Sequence, residues 1–267
     1  MLRLFLLSLL LIPSTGFSAP AWEATLTSQN KGPHPILQPS TMEFTLSWKG
    51  MLKAGKLDIQ IAPAGENKKG SLVVKSNGSS LGAASAIYPY LHSYWSELDP
   101  STLRSQYFHS TEKDSEETIV TQNRYTAHSA KVSEISKDND TGKVSTHSLL
   151  FPYGPARDVF SALLHIRSQR LLPGEEHVLL ILPFKSPYIL KVRSEAKEKH
   201  MGKDAIRLSF SMRKIDTGTN ELRTYKKLKK PVTLWLSDDV DRIPLEIRAS
   251  VFIGDVRAEL TSFTKNP

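Results

Sequence analysis

From Ile243 to Leu260 the chain changes character at almost every residue. Ile243, Leu245, Ile247, Ala249, Val251 and Ile253 alternate with Pro244, Glu246, Arg248, Ser250, Phe252 and Gly254; Val256, Ala258 and Leu260 resume the pattern against Arg257, Glu259 and Thr261. Successive side chains on an extended chain point to opposite faces, so this period of two marks strands with one apolar and one wet face. Gly254-Asp255 can take the positive φ of a tight reversal, which predicts an antiparallel hairpin. Such a sheet must curl on itself or be covered, because its oily face cannot stand in water.

The same period recurs along the chain. Met42, Phe44, Leu46 and Trp48 alternate with Glu43, Thr45 and Ser47, and after Gly50 to Gly55 the residues Leu57, Ile59 and Ile61 do likewise. Further strands are expected at Leu72-Val74, Val178–Leu182, Tyr188–Val192, Ile206–Met212 and Val232–Leu236. The threonine-rich stretch Tyr107–Thr146 reads as exposed or edge strands. Two segments change period. Ile87, Tyr90, Leu91, Tyr94, Trp95 and Leu98 recur at three- and four-residue steps, predicting an amphipathic helix over Ala83–Leu98 with Pro89 in its first turn or at a kink. Pro155–Gln169 predicts a second helix: Pro155 in the first turn, Asp158 against the positive end of the dipole, and Val159, Phe160, Leu163, Leu164 and Ile166 buried. The fold class expected is mainly β (α+β): a large curved antiparallel sheet, half-barrel or open barrel, with two amphipathic helices covering the concave face.

The first 21 residues read as a signal peptide: Met1-Leu2-Arg3 is a short positive start, Leu4–Ile12 an apolar run too short to span a bilayer, and Ala19-Pro20-Ala21 a small-residue cleavage site. Cleavage there makes Trp22 the mature N-terminus. The remainder divides into an extended arm, 22–40, broken by Gly32-Pro33-His34-Pro35 and Pro39, and one β-rich domain, 41–267. An exported, periplasmic, soluble protein with no transmembrane helix after cleavage is expected. The chain has no cysteine, which excludes disulfides, thiolate metal sites and an acylated-cysteine anchor. Its formal charge is +8, and the excess is local: Arg223, Lys226, Lys227, Lys229 and Lys230 form a candidate basic rim, either a solvated edge or a surface for acidic partners. The basic segments lack the interleaved aromatics of a nucleic-acid platform, so no nucleic acid is expected.

One set of residues resembles a known family. Phe44-x-Leu46-x-Trp48-x-Gly50 with Gly55, Tyr88-Pro89, Asp158–Leu163 with Arg167, and Leu234-Trp235-Leu236-Ser237-x-Asp239-x-x-Arg242-Ile243-Pro244 are similar to the exported bacterial family catalogued as domain of unknown function 3108, over about residues 42–263. The resemblance implies a periplasmic β-rich domain and no established activity. Within it, Trp48, Gly55, Asp158, Arg167, Trp235, Ser237, Asp239, Arg242 and Pro244 read as structural, with Asp239 paired to Arg242.

No local signature of catalysis, metal or cofactor is present: the eight histidines are scattered, read as surface residues, and no nucleophile elbow occurs. The catalytic, cofactor and metal assignments are therefore none. The concave side is the candidate ligand hollow, lined by Tyr90, Tyr94, Trp95, Phe160, Leu163 and Phe210, and the function expected is non-catalytic binding of a lipid or acylated chain. The alternatives are an assembly module that docks on an envelope protein and, third, an envelope hydrolase. Whether the hollow is an open cavity or a filled core the residues leave open.

Overall fold

The computed structural model describes residues 19–27, 29–65, 70–225, 230–251 and 254–266. A first meander comprises β1 (Ser40–Trp48), β2 (Leu52–Pro63), β3 (Leu72–Ser80), the short helix α1 (Gly82–Ile87), β4 (Leu91–Leu98), β5 (Ser105–Lys113), β6 (Glu117–Tyr125), β7 (Ala130–Asp138) and β8 (Val144–Phe151). Helix α2 (Val159–Ser168) leads to a second meander: β9 (Glu176–Ile181), β10 (Tyr188–His200), β11 (Lys203–Ile215), the short β12 (Leu222–Thr224), β13 (Val232–Ser237), β14 (Pro244–Val251) and β15 (Gly254–Lys265). Pairing of β1 with β15 welds the two into one open antiparallel sheet, ordered β8 through β1, then β15, β14, β13, β11, β10, β9, with β12 on β11. The connection between the two edges, β8 and β9, carries α2.

The sheet curls until side chains near its edges meet. Tyr125 Oη on β6 donates to Leu182 O (2.6 Å), Asn123 Nδ2 donates to Leu182 O and Phe184 O (3.2 and 2.9 Å), and Lys185 pairs with Glu134 on β7 at 2.9 Å. Helix α2 lies inside this curl. Phe160 and Leu164 join a core with Met42, Phe44, Ile61, Val74 and Phe108, while Ala162 and Ile166 join one with Leu179, Val192, Ile206, Leu208 and Leu236. Residues 19–27 and 29–39 run along α2 and the edge of β9, where Thr27 N donates to Val178 O and Val178 N to Thr27 Oγ1.

Several expectations are corrected. Ala83–Leu98 is not a helix: only Gly82–Ile87 is helical, none of its residues is buried, and Leu91–Leu98 is β4. Pro89 cannot donate the amide that would carry the helix on, and beyond it His92, Tyr94, Ser96 and Leu98 face inward while Ser93 and Trp95 face outward. One helix therefore enters the hollow, not two. Helix α2 starts at Val159, four residues beyond Pro155, and Val159 is exposed. Of Tyr107–Thr146, β5, β6 and β7 are interior strands; only β8 is an edge. Gly254-Asp255 is not the turn of the last hairpin: both residues lie in β15, Gly254 opposite Val251 and Asp255 opposite Ser250.

Candidate functional site

Burial of the inward-facing side chains falls with distance from α2. Along β1, Met42 and Phe44 are 1 % and 2 % exposed, Leu46 is partly exposed and Trp48 is 42 % exposed. The same descent runs from Ile61 and Ile59 to Leu57 on β2, from Ile206 and Leu208 to Phe210 and Met212 on β11, from Val192 to Leu190 and Tyr188 on β10, and from Leu98 and Ser96 to Tyr94 and His92 on β4. Near α2 the hollow is filled: the space left among Leu37, Met42, Phe160, Leu164 and Leu236 is about 10 Å³, no more than one water. Away from α2, toward the end that carries the β1–β2 turn, the inner face is open.

That open part has two unlike walls. Leu46, Leu57, Leu190, Phe210, Met212 and Ile247 make one apolar. Strands β3 to β7 make the other polar, from Ser76, His92, Tyr94, Ser110, Glu112, Thr121 and Glu134, which share the inward face in register across five strands. Tyr90 and Tyr94 both donate to Glu112 Oε1, at 2.6 and 2.7 Å, and their hydroxyls stand 3.2 Å apart. Burial, followed by the neighbouring Glu112 carboxylate, pushes the Tyr94 hydroxyl far above its ordinary value; the same two causes raise Tyr90. The His92 ring stacks on Tyr94 at 4.3 Å, its pKa depressed by burial against the opposing pull of Glu112. Gly78 opposite makes room for it, since a Cβ there would lie 2.2 Å from His92 Cε1. His92 Nδ1 and Ser110 Oγ are both buried and without a hydrogen-bond partner within the protein. Buried polar atoms are nearly always satisfied, so these two are exceptions within this wall.

Of the expected lining residues, Tyr90 and Tyr94 are at this wall, Phe210 is on the opposite one, and Phe160 and Leu163 are on α2, with Phe160 6.4 Å from Tyr94. Trp95 is the exception. It faces outward with Lys75 over its ring at 4.8 Å and its Nε1 donating to Glu97 (2.8 Å), because β4 is a strand and its neighbour Tyr94 takes the inner face. Sequence reasoning missed His92, Ser110 and Glu112; once 91–98 is recognised as a strand, His92 and Tyr94 at i and i+2 are its signal.

Helix α2 is fixed at both ends. Asp158 caps the first turn, its Oδ1 accepting from Phe160 N (2.8 Å) and Ser161 N (3.0 Å), while its Oδ2 accepts from Ser96 Oγ on β4 at 2.9 Å. Full burial raises its pKa despite these bonds. Beside it Arg157, fully buried, donates to Leu103 O, Ser161 Oγ and Gln29 O, and burial lowers its pKa to about 10. At the other end Arg167 donates to Asp241 O and Pro35 O (both 2.7 Å).

Arg242 does not pair its guanidinium with Asp239 as expected. Its Nη1 donates to Arg167 O and Gln169 O, satisfying terminal helix carbonyls, and only its backbone amide reaches Asp239 (2.9 Å). Asp239 also accepts from Ser237 Oγ and Asp241 N; although burial alone would raise its pKa, these bonds hold it below the ordinary value. Pro244 opens β14, and a Cβ on Gly55 would meet Ser79 O at 2.6 Å. Among the described residues no group of three or more His, Asp or Glu could hold a metal ion.

The outer face is not uniformly wet. Glu246 is 1 % exposed, accepting from both His200 Nε2 (2.7 Å) and Arg248, and His200 and Arg248 sandwich the Trp235 indole at 4.2 and 4.7 Å. His200 here, and His165, buried on α2, correct the expectation that the histidines lie at the surface. Of the basic rim, Arg223 pairs with Asp216 at 2.8 Å and Lys230 is exposed, whereas Lys226, Lys227 and Lys229 lie outside the described residues.

These features define an open, curled antiparallel β-sheet protein whose core includes residues of one helix. The chain belongs to the family described as protein of unknown function, DUF3108, whose model matches residues 43–261. No curated protein matches it. Among solved structures it is similar to a β-barrel-like protein of domain of unknown function DUF1849 from Brucella abortus. That likeness has a TM-score of 0.55 and 7 % identity, covering 87 % of this chain and 99 % of the other, and it concerns the fold. No helix among the described residues is long and apolar enough to cross a membrane.

Proposed function

We propose that this is an exported envelope protein that binds an amphipathic ligand, a lipid or acylated chain, in the open part of its hollow without chemical conversion. The observation that carries the reading is the division of that space into an apolar wall at Phe210, Met212, Leu46 and Leu57 and a polar wall at Tyr90, His92, Tyr94 and Glu112. An acyl chain lying on the first buries surface at about 25 cal/mol per Å². A polar head at the second meets the Tyr90 and Tyr94 hydroxyls and the Glu112 carboxylate. A purely polar cargo would waste the opposite wall. The compartment rests on the leader at residues 1–21.

Native mass spectrometry of the protein purified from its own host tests this. An adduct of lipid mass that organic solvent extracts is expected; ligand-free protein from every preparation would remove the reading. An assembly role has one observation in its favour: the β8 edge has no partner strand among the described residues and is exposed from Val144 to Ser148. Mild crosslinking that captures a defined envelope protein through β8 would support it.

A further inference from the structure

The open end of the sheet also carries an exposed apolar surface along its rim. Six large apolar side chains are exposed there: Trp48, Met51 (83 %) and Leu52 around the β1–β2 turn, Ile87 (70 %) at the end of α1 with Tyr88 after it, and Leu91 at the start of β4. Topology makes them neighbours. Trp48 stands opposite Leu52 on one side and Val256 on the other, Leu81 N donates to Ala54 O and so sets α1 beside β2, and Leu91 is opposite Ser79, itself opposite Lys56. Single exposed apolar residues are ordinary; six gathered on adjacent chain reversals at one end are not.

The charges interleaved with them are positive. Residues 47–53 and 254–257 carry Lys49, Lys53 and Arg257 against the single acid Asp255. The Arg257 guanidinium lies over Gly50, where a Cβ would meet it at 2.5 Å, and the Trp48 indole lies against Gly254, so the β1–β2 turn and the start of β15 form one unit. The acidic turn residues Asp114 and Glu116 follow Lys113, which stands opposite Leu91 at the border of this patch, and Asp140 belongs to the β7–β8 connection farther along the sheet.

We infer that the β1–β2 turn, the start of β15 and α1 form a docking surface for an anionic lipid bilayer. The apolar side chains enter the headgroup layer, and Lys49, Lys53 and Arg257 contact lipid phosphates. The reason for a bilayer rather than a protein is charge beside exposed apolar surface: cations interleaved with exposed apolar side chains match a fluid, negatively charged interface. The inference stands apart from the ligand reading, although docking there would bring the mouth of the hollow to the bilayer.

The test is flotation of protein purified from its own host with vesicles of phosphatidylglycerol and phosphatidylethanolamine, and with vesicles of phosphatidylcholine. Salt-sensitive binding to the anionic vesicles is expected. Lys49→Ala and Lys53→Ala should each weaken it about fivefold, equivalent to about 1 kcal/mol per charge. Met51→Asp with Leu52→Asp should weaken it at least tenfold. Brominated lipid should quench the tryptophan emission of the native chain, and Trp48→Phe should lose that quenching. Unchanged thermal midpoints show that these exposed variants fold. Equal binding to phosphatidylcholine, no binding to either vesicle, or variants at Lys49, Lys53, Met51 and Leu52 that bind as tightly as the native chain would overturn the inference. So would loss of binding on Arg223→Glu with Lys230→Glu while those variants bind normally. A chain that fails to float yet carries extractable lipid keeps the ligand reading and loses this one.

Discussion

Single side chains in this protein hold the helix in the hollow and the outer face of the sheet together. Asp158 is a carboxylate with no exposure that accepts from three donors: it stops the first turn of α2 from fraying and ties that turn to β4 through Ser96. Asp158→Ala should cost about 2 kcal/mol, a lost cap plus the stranded Ser96 hydroxyl, read as a lower urea midpoint at unchanged slope. Asp158→Asn keeps an acceptor for Phe160 N and Ser161 N and should retain most of that stability. Glu246 supplies a pH dependence of opposite origin. Burial would raise its pKa, but the bonds from Arg248 and His200 win and hold it below the ordinary value of 4.5. A depressed folded-state pKa means stability that is complete above the unfolded value and lost as pH falls through the folded one. Urea midpoints should therefore drop as pH descends below about 4.5, and Glu246→Gln should flatten that descent; an unaltered profile in the variant would assign the acid sensitivity elsewhere.

At the scale of the element, β4 shows what the sequence could and could not deliver. Strands β1, β2, β10 and β11 were legible because one face is mostly core and the other mostly solvent; β13 and β14 keep the period of two in their residue types although Trp235 and Glu246 are buried on the outer face. The second helix was legible from its apolar stripe, but its start was not: Pro155 drew the expected start four residues early, and Asp158, expected inside the helix, is its cap. In β4 both faces carry aromatic residues, Tyr94 inside and Trp95 outside, so Leu91, Tyr94, Trp95 and Leu98 imitate a helical stripe. The polar wall was illegible for a different reason. His92, Ser110, Glu112 and Glu134 come together only through cross-strand register, which no spacing within one segment encodes. The two faces of β4 give a direct experiment. Tyr94→Ala should lower the affinity of a fluorescent fatty-acid probe by about tenfold, a loss of about 1.4 kcal/mol, while Trp95→Ala leaves it within twofold. Equal losses would place the probe outside the hollow.

Across the whole molecule, the decisive property is that the sheet does not close by backbone pairing, so its seam depends on what packs between β8 and β9. Residues 19–27 and 29–39 provide that packing. Trp22 is 3 % exposed, its ring 6.4 Å from Phe151 on β8 and 5.2 Å from Tyr153, and its Nε1 donates to Asn220 O beyond β11 at 3.1 Å. One side chain thus touches both meanders, and Thr27 then continues the contact along β9. An open seam would let the edges separate and drain the core that α2 completes, because Phe151 and Tyr125 would lose their cover. Trp22→Ala should accordingly cost about 3 kcal/mol, within the usual range for removing a buried aromatic side chain. For a chain of this length that corresponds to roughly 6–12 °C in thermal midpoint. The loss should be uneven: amide exchange should quicken in β8, β9 and Thr27 while β1, β2 and β15, at the weld opposite the seam, keep their protection. A uniform acceleration, or a midpoint unmoved by the substitution, would mean that the curvature of the sheet alone holds the edges together and that the arm merely lies on the surface.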